Sequence, residues 1–496
     1  MSKPNRSAAS KGNARGLGKH EAEVEDNYTM YQAFEWFQEG GGAFWKDFTS
    51  KAKSLGDMGI TAAWLPPSSQ EGNGYDIYDL WDLGEFDQKG GKRTKWGTRE
   101  EYLNALKVAR ENGIVAYVDA VLNHKAGADF SETFKVTKVD NNDRNKNISD
   151  VYDIEGWTGF NFPGRKDYDN KNEENAIFKI EGEGKGWAQA VDGEKGSFDY
   201  LMFADIDHRH PEVIEELNKW GVYMLKDIGV QGFRFDAIKH IDRPFINQFV
   251  NHVRDKLDNP DLFAVGEFWK DSLESLTNYL DNFDTQFSIF DTPLHYNFKE
   301  ASDAGESYDL RKIWDGSLVQ ARPMDAVTLV DNHDTQIGEA LESWVGAQFK
   351  PLAYALILFR NEGYPCVFAG DLYGCKGESN TEPMNQLADF IRIRKLFTYG
   401  PTRDYWDHAN CVGWVREGDS VHSGCAVVIC NGSSEGSKRM QIPDGHAGEK
   451  WTDVLGWTQG EVTIGEDGWA EFKCPAGSVA VWVKSDAKGR EEFGKQ

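Results

Sequence analysis

Apolar positions along the chain recur in a fixed grammar: a helical spacing, a glycine, then a short unbroken apolar run. Trp45, Phe48, Ala52 and Leu55 share one helical face, Gly59 follows, and residues 60–67 (ITAAWLPP) read as a buried strand. Leu103, Leu106 and Ala109 lead to Gly113 and a strand at 114–119; Val213, Leu217, Trp220 and Met224 lead to Gly229 and a strand at 230–236. Glycine takes the left-handed conformation that ends helices, so each repeat predicts a helix, a stop and a parallel strand. Residues 29–37, 262–267, 286–290, 326–331 and 364–369 bring the apolar strands to eight. The expected fold class is α/β, a closed (β/α)8 TIM barrel.

Two segments break this rhythm. Residues 124–207 turn polar and irregular, with clusters such as Asp140-Asn141-Asn142-Asp143, and predict a B domain inserted after strand 3. Beyond about residue 396 the pattern changes to short alternating runs such as CAVVIC (425–430) and VAVWV (479–483), which predict a C-terminal antiparallel β-sandwich domain. The expected division is a polar, disordered tail at 1–28, a barrel at 29–123 and 208–398, the B domain at 124–207, the C-terminal domain at 399–485 and a second tail at 486–496.

Charge narrows the partners. With 55 Lys+Arg against 81 Asp+Glu the chain carries −26, which repels phosphate backbones and anionic lipid, so neither nucleic acid nor membrane is an expected partner. No apolar run is long enough to span a bilayer. The first 28 residues lack the apolar core of a secretory signal, so the expected location is cytoplasmic, and the expected state a monomer. The six cysteines (366, 375, 411, 425, 430 and 474) are then expected to be buried free thiols. The aromatic load of 17 Trp, 18 Tyr and 29 Phe is mostly core, but it also suits a ring-faced neutral ligand such as a sugar.

Chemistry is expected where barrel strands end. In GFRFDAIKH (232–240), Phe233 and Phe235 alternate with Arg234 and Asp236, placing both charges on one face. The guanidinium is expected to keep Asp236 ionised, as a nucleophile or a stabiliser of positive charge; a structural alternative is that Asp236 caps the next helix. Asp119, Glu267 and Asp334 stand at other strand ends, with His124, His240 and His333 beside them. Acids without a serine or cysteine nucleophile point to glycosyl transfer. The apolar neighbours of Glu267 (Val265, Phe268, Trp269) suggest a raised pKa and a general-acid role. His333-Asp334 as a metal pair is the competing assignment, and the partner histidine–aspartate spacing it needs is missing.

The blocks DAVLNH (119–124), GFRFDAIKH (232–240), VGEF (265–268) and VDNHD (330–334) resemble the four signature regions of α-amylases of glycoside hydrolase family 13. Residues 74–96 and DYLMFADID (199–207) resemble its liquefying subgroup, in forms without a signal peptide. The resemblance implies retaining hydrolysis of α-1,4-glucan, with Asp236 as nucleophile, Glu267 as acid/base and Asp334 as the acid gripping the sugar hydroxyls. It assigns Tyr75, His124, Arg234 and His333 to the reacting glucose and Lys239 and His240 to the leaving-group side. It also implies a calcium ion on Asn123, Asp205 and the His240 carbonyl. The metal region departs from the family: the FPGR stretch (162–165) runs at once into Lys166-Asp167-Tyr168, and Ala188 and Arg209 replace aspartates. Those changes predict one calcium at most, with Arg209 pairing Asp205 or Asp207 in place of lost metal charge. A 4-α-glucanotransferase of the same family keeps the same catalytic acids and remains an alternative. A non-catalytic glucan-binding or transporter-associated barrel would lose them.

Overall fold

The computed structural model describes residues 27–159 and 177–494. The FPGR stretch, most of the N-terminal tail and the last two residues lie outside these.

Eight parallel strands close into a barrel: β1 (Met30–Gln32), β2 (Ala62–Trp64), β3 (Val115–Ala120), β4 (Gly232–Phe235), β5 (Phe263–Gly266), β6 (Ser288–Phe290), β7 (Ala326–Leu329) and β8 (Tyr364–Phe368). Around the barrel the order is β1-β8-β7-β6-β5-β4-β3-β2, so sequence neighbours pair and β1 meets β8, Met30 opposite Cys366. These are the eight strands that the apolar runs predict.

The glycine stops work as expected. Gly59, Gly113 and Gly229 have φ of 125°, 74° and 91°, following α1 (Phe44–Met58), α2 (Arg99–Glu111) and α3 (Pro211–Tyr223). α2 starts with a capping box: the Thr98 side chain accepts the Glu101 N–H, and Glu101 accepts the Thr98 N–H. α3 does not stop cleanly. A π turn over Met224–Ile228 inserts one extra residue, and the Gly229 N–H reaches back five positions to the Met224 carbonyl at 3.0 Å.

Between β3 and β4 a three-stranded antiparallel sheet, built from Phe130–Lys138, Tyr152–Gly159 and Phe178–Ile180, stands beside the barrel mouth. Asp205 pairs with His124 where this segment returns. At the C-terminal end, β9 (Thr402–Tyr405), β10 (Cys411–Arg416), β11 (Cys425–Cys430), β12 (Gly436–Gln441), β13 (Lys450–Asp453), β14 (Glu461–Thr463), β15 (Trp469–Cys474) and β16 (Ser478–Lys484) form two sheets. One has the order β9-β10-β11-β16-β13-β14 and the other pairs β12 with β15. The period of two in β11 divides its side chains between two cores. Cys425, Val427 and Ile429 face the barrel's core, while Ala426, Val428 and Cys430 face the interior between the sheets.

Candidate active site

β4 fixes the site. Phe233 and Phe235 point outward and meet Phe249 edge-on at 5.4 and 5.6 Å, which turns Arg234 into the barrel. Gly232 must be glycine: a Cβ there would lie 2.7 Å from the Tyr117 ring and 2.8 Å from the Phe263 carbonyl oxygen.

Arg234 is fully buried, and one of its nitrogens, Nη1, donates to Asp119 at 2.8 Å and to Asp236 at 2.6 Å. Its Nη2 lies 3.3 Å from Glu267 Oε2, and the guanidinium sits 4.6 Å over the Trp64 ring. Asp119 accepts two further hydrogen bonds, from Trp64 Nε1 at 2.9 Å and the Tyr75 hydroxyl at 2.6 Å. One cation thus gathers carboxylates from the ends of β3, β4 and β5.

Just past Asp236 the backbone is strained: Ala237 has φ of 49°, a conformation costly for a residue with a Cβ. In that conformation its N–H donates to Glu267 Oε2 at 3.0 Å, and Ile238 N–H donates to the Glu267 carbonyl at 3.0 Å. The turn after the expected nucleophile therefore holds the expected acid/base. Phe268 and Trp269 are buried beside Glu267, as their apolar character predicts, but the same carboxylate also faces Arg234.

The electrostatics correct the expectation for Asp236. Arg234 pulls its pKa down, as reasoned from the sequence, but burial is the larger effect. Glu267 and Asp119 add repulsion, and the Asp236 carboxyl is pushed up to about 7. Burial, with Glu267 and Asp236 adding, likewise holds Asp334 well above the carboxylate range despite Arg234. Burial therefore raises Asp119, Asp236 and Asp334 together, despite the one guanidinium they share.

An aromatic wall closes one side. Tyr75 stacks on His333 at 5.0 Å and 7°, and Trp36 lies nearly parallel to both at 6.0 Å. The Gln32 amide donates to His333 Nδ1 at 2.9 Å, leaving the ring proton on Nε2, 3.4 Å from Asp334 Oδ2. Burial, reinforced by Arg234 and Lys95, lowers the His333 pKa far below its usual value. His124 Nε2 holds the Tyr75 carbonyl at 3.0 Å, which steadies that wall.

Lys239 and His240 sit together where the inserted segment meets the barrel. Lys239 Nζ donates to the Trp269 carbonyl at 3.1 Å and lies 3.5 Å from Glu194. His240 Nδ1 donates to the Phe198 carbonyl at 2.6 Å.

The residues expected to hold calcium lie at the same junction. Asn123 Oδ1 is buried and has no hydrogen-bond partner among the described residues. Desolvation of its carboxyl at this junction pushes Asp205 well up, although the residue keeps an exposed side, and Asp199 and Asp207 repel it further; Asp199 is pushed up to about 6 by burial. An orphaned oxygen beside crowded carboxylates fits a cation. Among the described residues, however, no three His, Cys, Asp or Glu side chains form a metal cluster. Arg209 pairs with Asp207 rather than Asp205, Nε to Oδ1 at 2.9 Å, and its other nitrogens donate to the carbonyls of Trp187 and Gly186 at 3.3 and 3.1 Å.

The chain matches the model of the alpha amylase catalytic domain over residues 30–420 and that of the alpha-amylase C-terminal domain over 426–483. It belongs to the alpha-amylase family. It is 45% identical over 480 residues to a glucan 1,4-alpha-maltohexaosidase of Bacillus sp. (strain 707), covering 92% of each chain. It is 39% identical over 490 residues to a cytoplasmic alpha-amylase of Escherichia coli, covering 92% of this chain and 99% of the relative. A crystal structure of an alpha-amylase from Geobacillus thermoleovorans complexed with acarbose superposes with a TM-score of 0.61 at 18% identity, covering 92% of this chain and 96% of the other. That likeness concerns the fold. As a family member the chain is a glycoside hydrolase, with the barrel and C-terminal antiparallel domain expected from its sequence.

Three residues of this candidate site were not foreseen from the sequence. Gln32 and Trp36 lie in the first apolar run and gave no sign of their polar and stacking roles. Asp199 was legible, since it stands six residues before Asp205 in the quoted DYLMFADID block.

Proposed function

We propose that the chain is an endo-acting α-amylase that hydrolyses α-1,4-glucosidic bonds in starch- or glycogen-type glucan with retention of configuration. The observation that carries this reading is Arg234 bridging Asp119 and Asp236 with Glu267 3.3 Å from the same guanidinium.

Glu267, as acid, gives its proton to the glycosidic oxygen while the Asp236 carboxylate attacks the anomeric carbon from the opposite face. The leaving chain departs with its new hydroxyl, and the sugar remains as an ester on Asp236. Glu267, now ionised, takes a proton from water, whose oxygen displaces Asp236 and restores the α-configuration. Asp334, with the His333 Nε2–H beside it, takes the hydroxyls of the reacting glucose, and Tyr75 supplies the ring face beneath it. Arg234 holds Asp236 in line for attack, His124 supports Tyr75, and Lys239 and His240 line the leaving-group side.

Calcium, when bound, supplies positive charge joining the inserted segment to the barrel. Asn123 Oδ1, Asp205 and the His240 carbonyl would hold it, with Asp199 as a further oxygen source. The proposed substrate is an α-glucan or maltooligosaccharide, and the proposed state a cytoplasmic monomer divided at 29–123/208–398, 124–207 and 399–485.

Asp236→Asn and Glu267→Gln should each lower turnover on maltoheptaose about 10³-fold or more while circular dichroism stays unchanged. Retention of most activity by either variant overturns the assignment.

A further inference from the structure

All six cysteines are buried free thiols, and two of them face each other across a strand pair. Cys411 opens β10 and Cys430 ends β11, directly opposite in register. One step further out, the Asn431 N–H donates to the Asn410 carbonyl at 3.1 Å, which marks 410/431 as a hydrogen-bonded pair. Hydrogen-bonded and non-bonded pairs alternate in an antiparallel ladder, so Cys411/Cys430 is the narrow kind, with Cα atoms about 4.5 Å apart. A disulfide spans Cα separations of about 4.4–6.8 Å, so this pair falls inside that range.

The neighbouring strand leaves room for the sulfurs. Gly436, on β12, has no side chain, and a Cβ there would lie 2.7 Å from Cys411 Sγ and 3.3 Å from Cys430 Sγ. We propose that Cys411 and Cys430 are a thiol–disulfide modification site, which hydrogen peroxide oxidises to a cross-strand disulfide.

The two thiols differ in a way that suits this chemistry. A hydrogen bond from Cys411 lowers the Cys430 thiol against its burial, and the N–H groups of Gly432 and Gly477 assist. The Cys430 thiolate attacks one peroxide oxygen, the O–O bond breaks, and hydroxide leaves to become water, giving a sulfenic acid. Cys411 sulfur then attacks Cys430 sulfur, the S–O bond breaks, and the departing hydroxide takes the Cys411 proton. Two thiols lose two electrons, and one peroxide becomes two waters.

The third thiol there, Cys474, is a poor competitor. It lies on β15, opposite Gly436 in the facing sheet and outside the 411/430 strand pair, and is pushed up by burial. The disulfide would lock a seam. Asn410 and Asn431, each adjacent to one of the two cysteines, hydrogen-bond to each other at 3.0 Å. They also donate to the carbonyls of Glu306, Gly305 and Tyr308 on the barrel, at 2.6, 2.9 and 2.9 Å.

The test uses the full chain and hydrogen peroxide. After exposure, excess peroxide is removed, the chain is denatured and alkylated without reductant, and peptides are mapped by mass spectrometry. The expected result is a fall from six alkylated cysteines to four, one linked peptide joining Cys411 to Cys430, and recovery of six after dithiothreitol. Cys474→Ser should leave the linked peptide intact and Cys411→Ser should abolish it. Six cysteines still alkylated, a link to Cys474, or Cys430 recovered mainly as sulfinic acid would each overturn the proposal.

Discussion

Replacing Asp236 by asparagine should produce a protein that is inactive and more stable, and the gain should depend on pH. Burial and the charges of Glu267 and Asp119 raise the Asp236 carboxyl from 3.8 to about 7, a net figure that already includes the pull of Arg234. The folded chain therefore binds a proton more tightly here than the unfolded chain does. Stability contributed by this group is unaffected below about pH 4, falls as pH rises through 4 to 7, and stays reduced above. Three pKa units correspond to roughly 4 kcal/mol at 1.36 kcal/mol each. Asparagine removes the ionisation without changing the volume, so that amount is the ceiling on the gain at pH 8. At about 2 °C per kcal/mol for a large domain, the thermal midpoint should rise by several degrees at pH 8 and by almost nothing at pH 4. Differential scanning calorimetry of both chains at the two pH values is the assay. A variant less stable than the parent at pH 8, or a gain equal at both pH values, would refute the balance of charges drawn for this cluster.

Lys350 is buried between Asp331 at 2.7 Å and Asp371, and lies 3.3 Å over the Trp344 ring; Asp331 in turn holds the Thr335 hydroxyl next to His333 and Asp334. Lys350→Met strands two carboxylates and should destabilise the chain by about 3–5 kcal/mol in urea unfolding, together with a loss of turnover; an unchanged midpoint would show the network to be dispensable. Arg209→Asp removes the clamp on Asp207, Trp187 and Gly186. It should lower the thermal midpoint more in EDTA than in calcium, and an equal loss in both would separate Arg209 from the metal region.

The sequence was most readable where one physical rule decides the outcome. Apolar runs that follow helix-ending glycines at 59, 113 and 229 have little choice but parallel strands, and Arg234 and Asp236 must share a face because strand side chains alternate. It was least readable where neighbours arrive from distant segments. The pull of Arg234 on Asp236 was inferred from two residues in one strand, whereas the sign is set by burial and by Glu267 and Asp119, which only barrel closure brings in. Gln32 reaches His333 across 301 positions, and no local pattern announces such a contact. The π turn at 224–228 was invisible for a different reason: one residue of slack in the last turn leaves the apolar spacing before it intact.

Proton NMR of the first minutes of maltoheptaose cleavage tests the central claim most directly, because it reads both the bond broken and the face attacked. New reducing ends should appear as the α-anomer, with β-anomer arising only later by mutarotation. Early β-anomer would contradict retention through Asp236, and redistribution of chain lengths without new reducing ends would show transfer to glucan instead of hydrolysis.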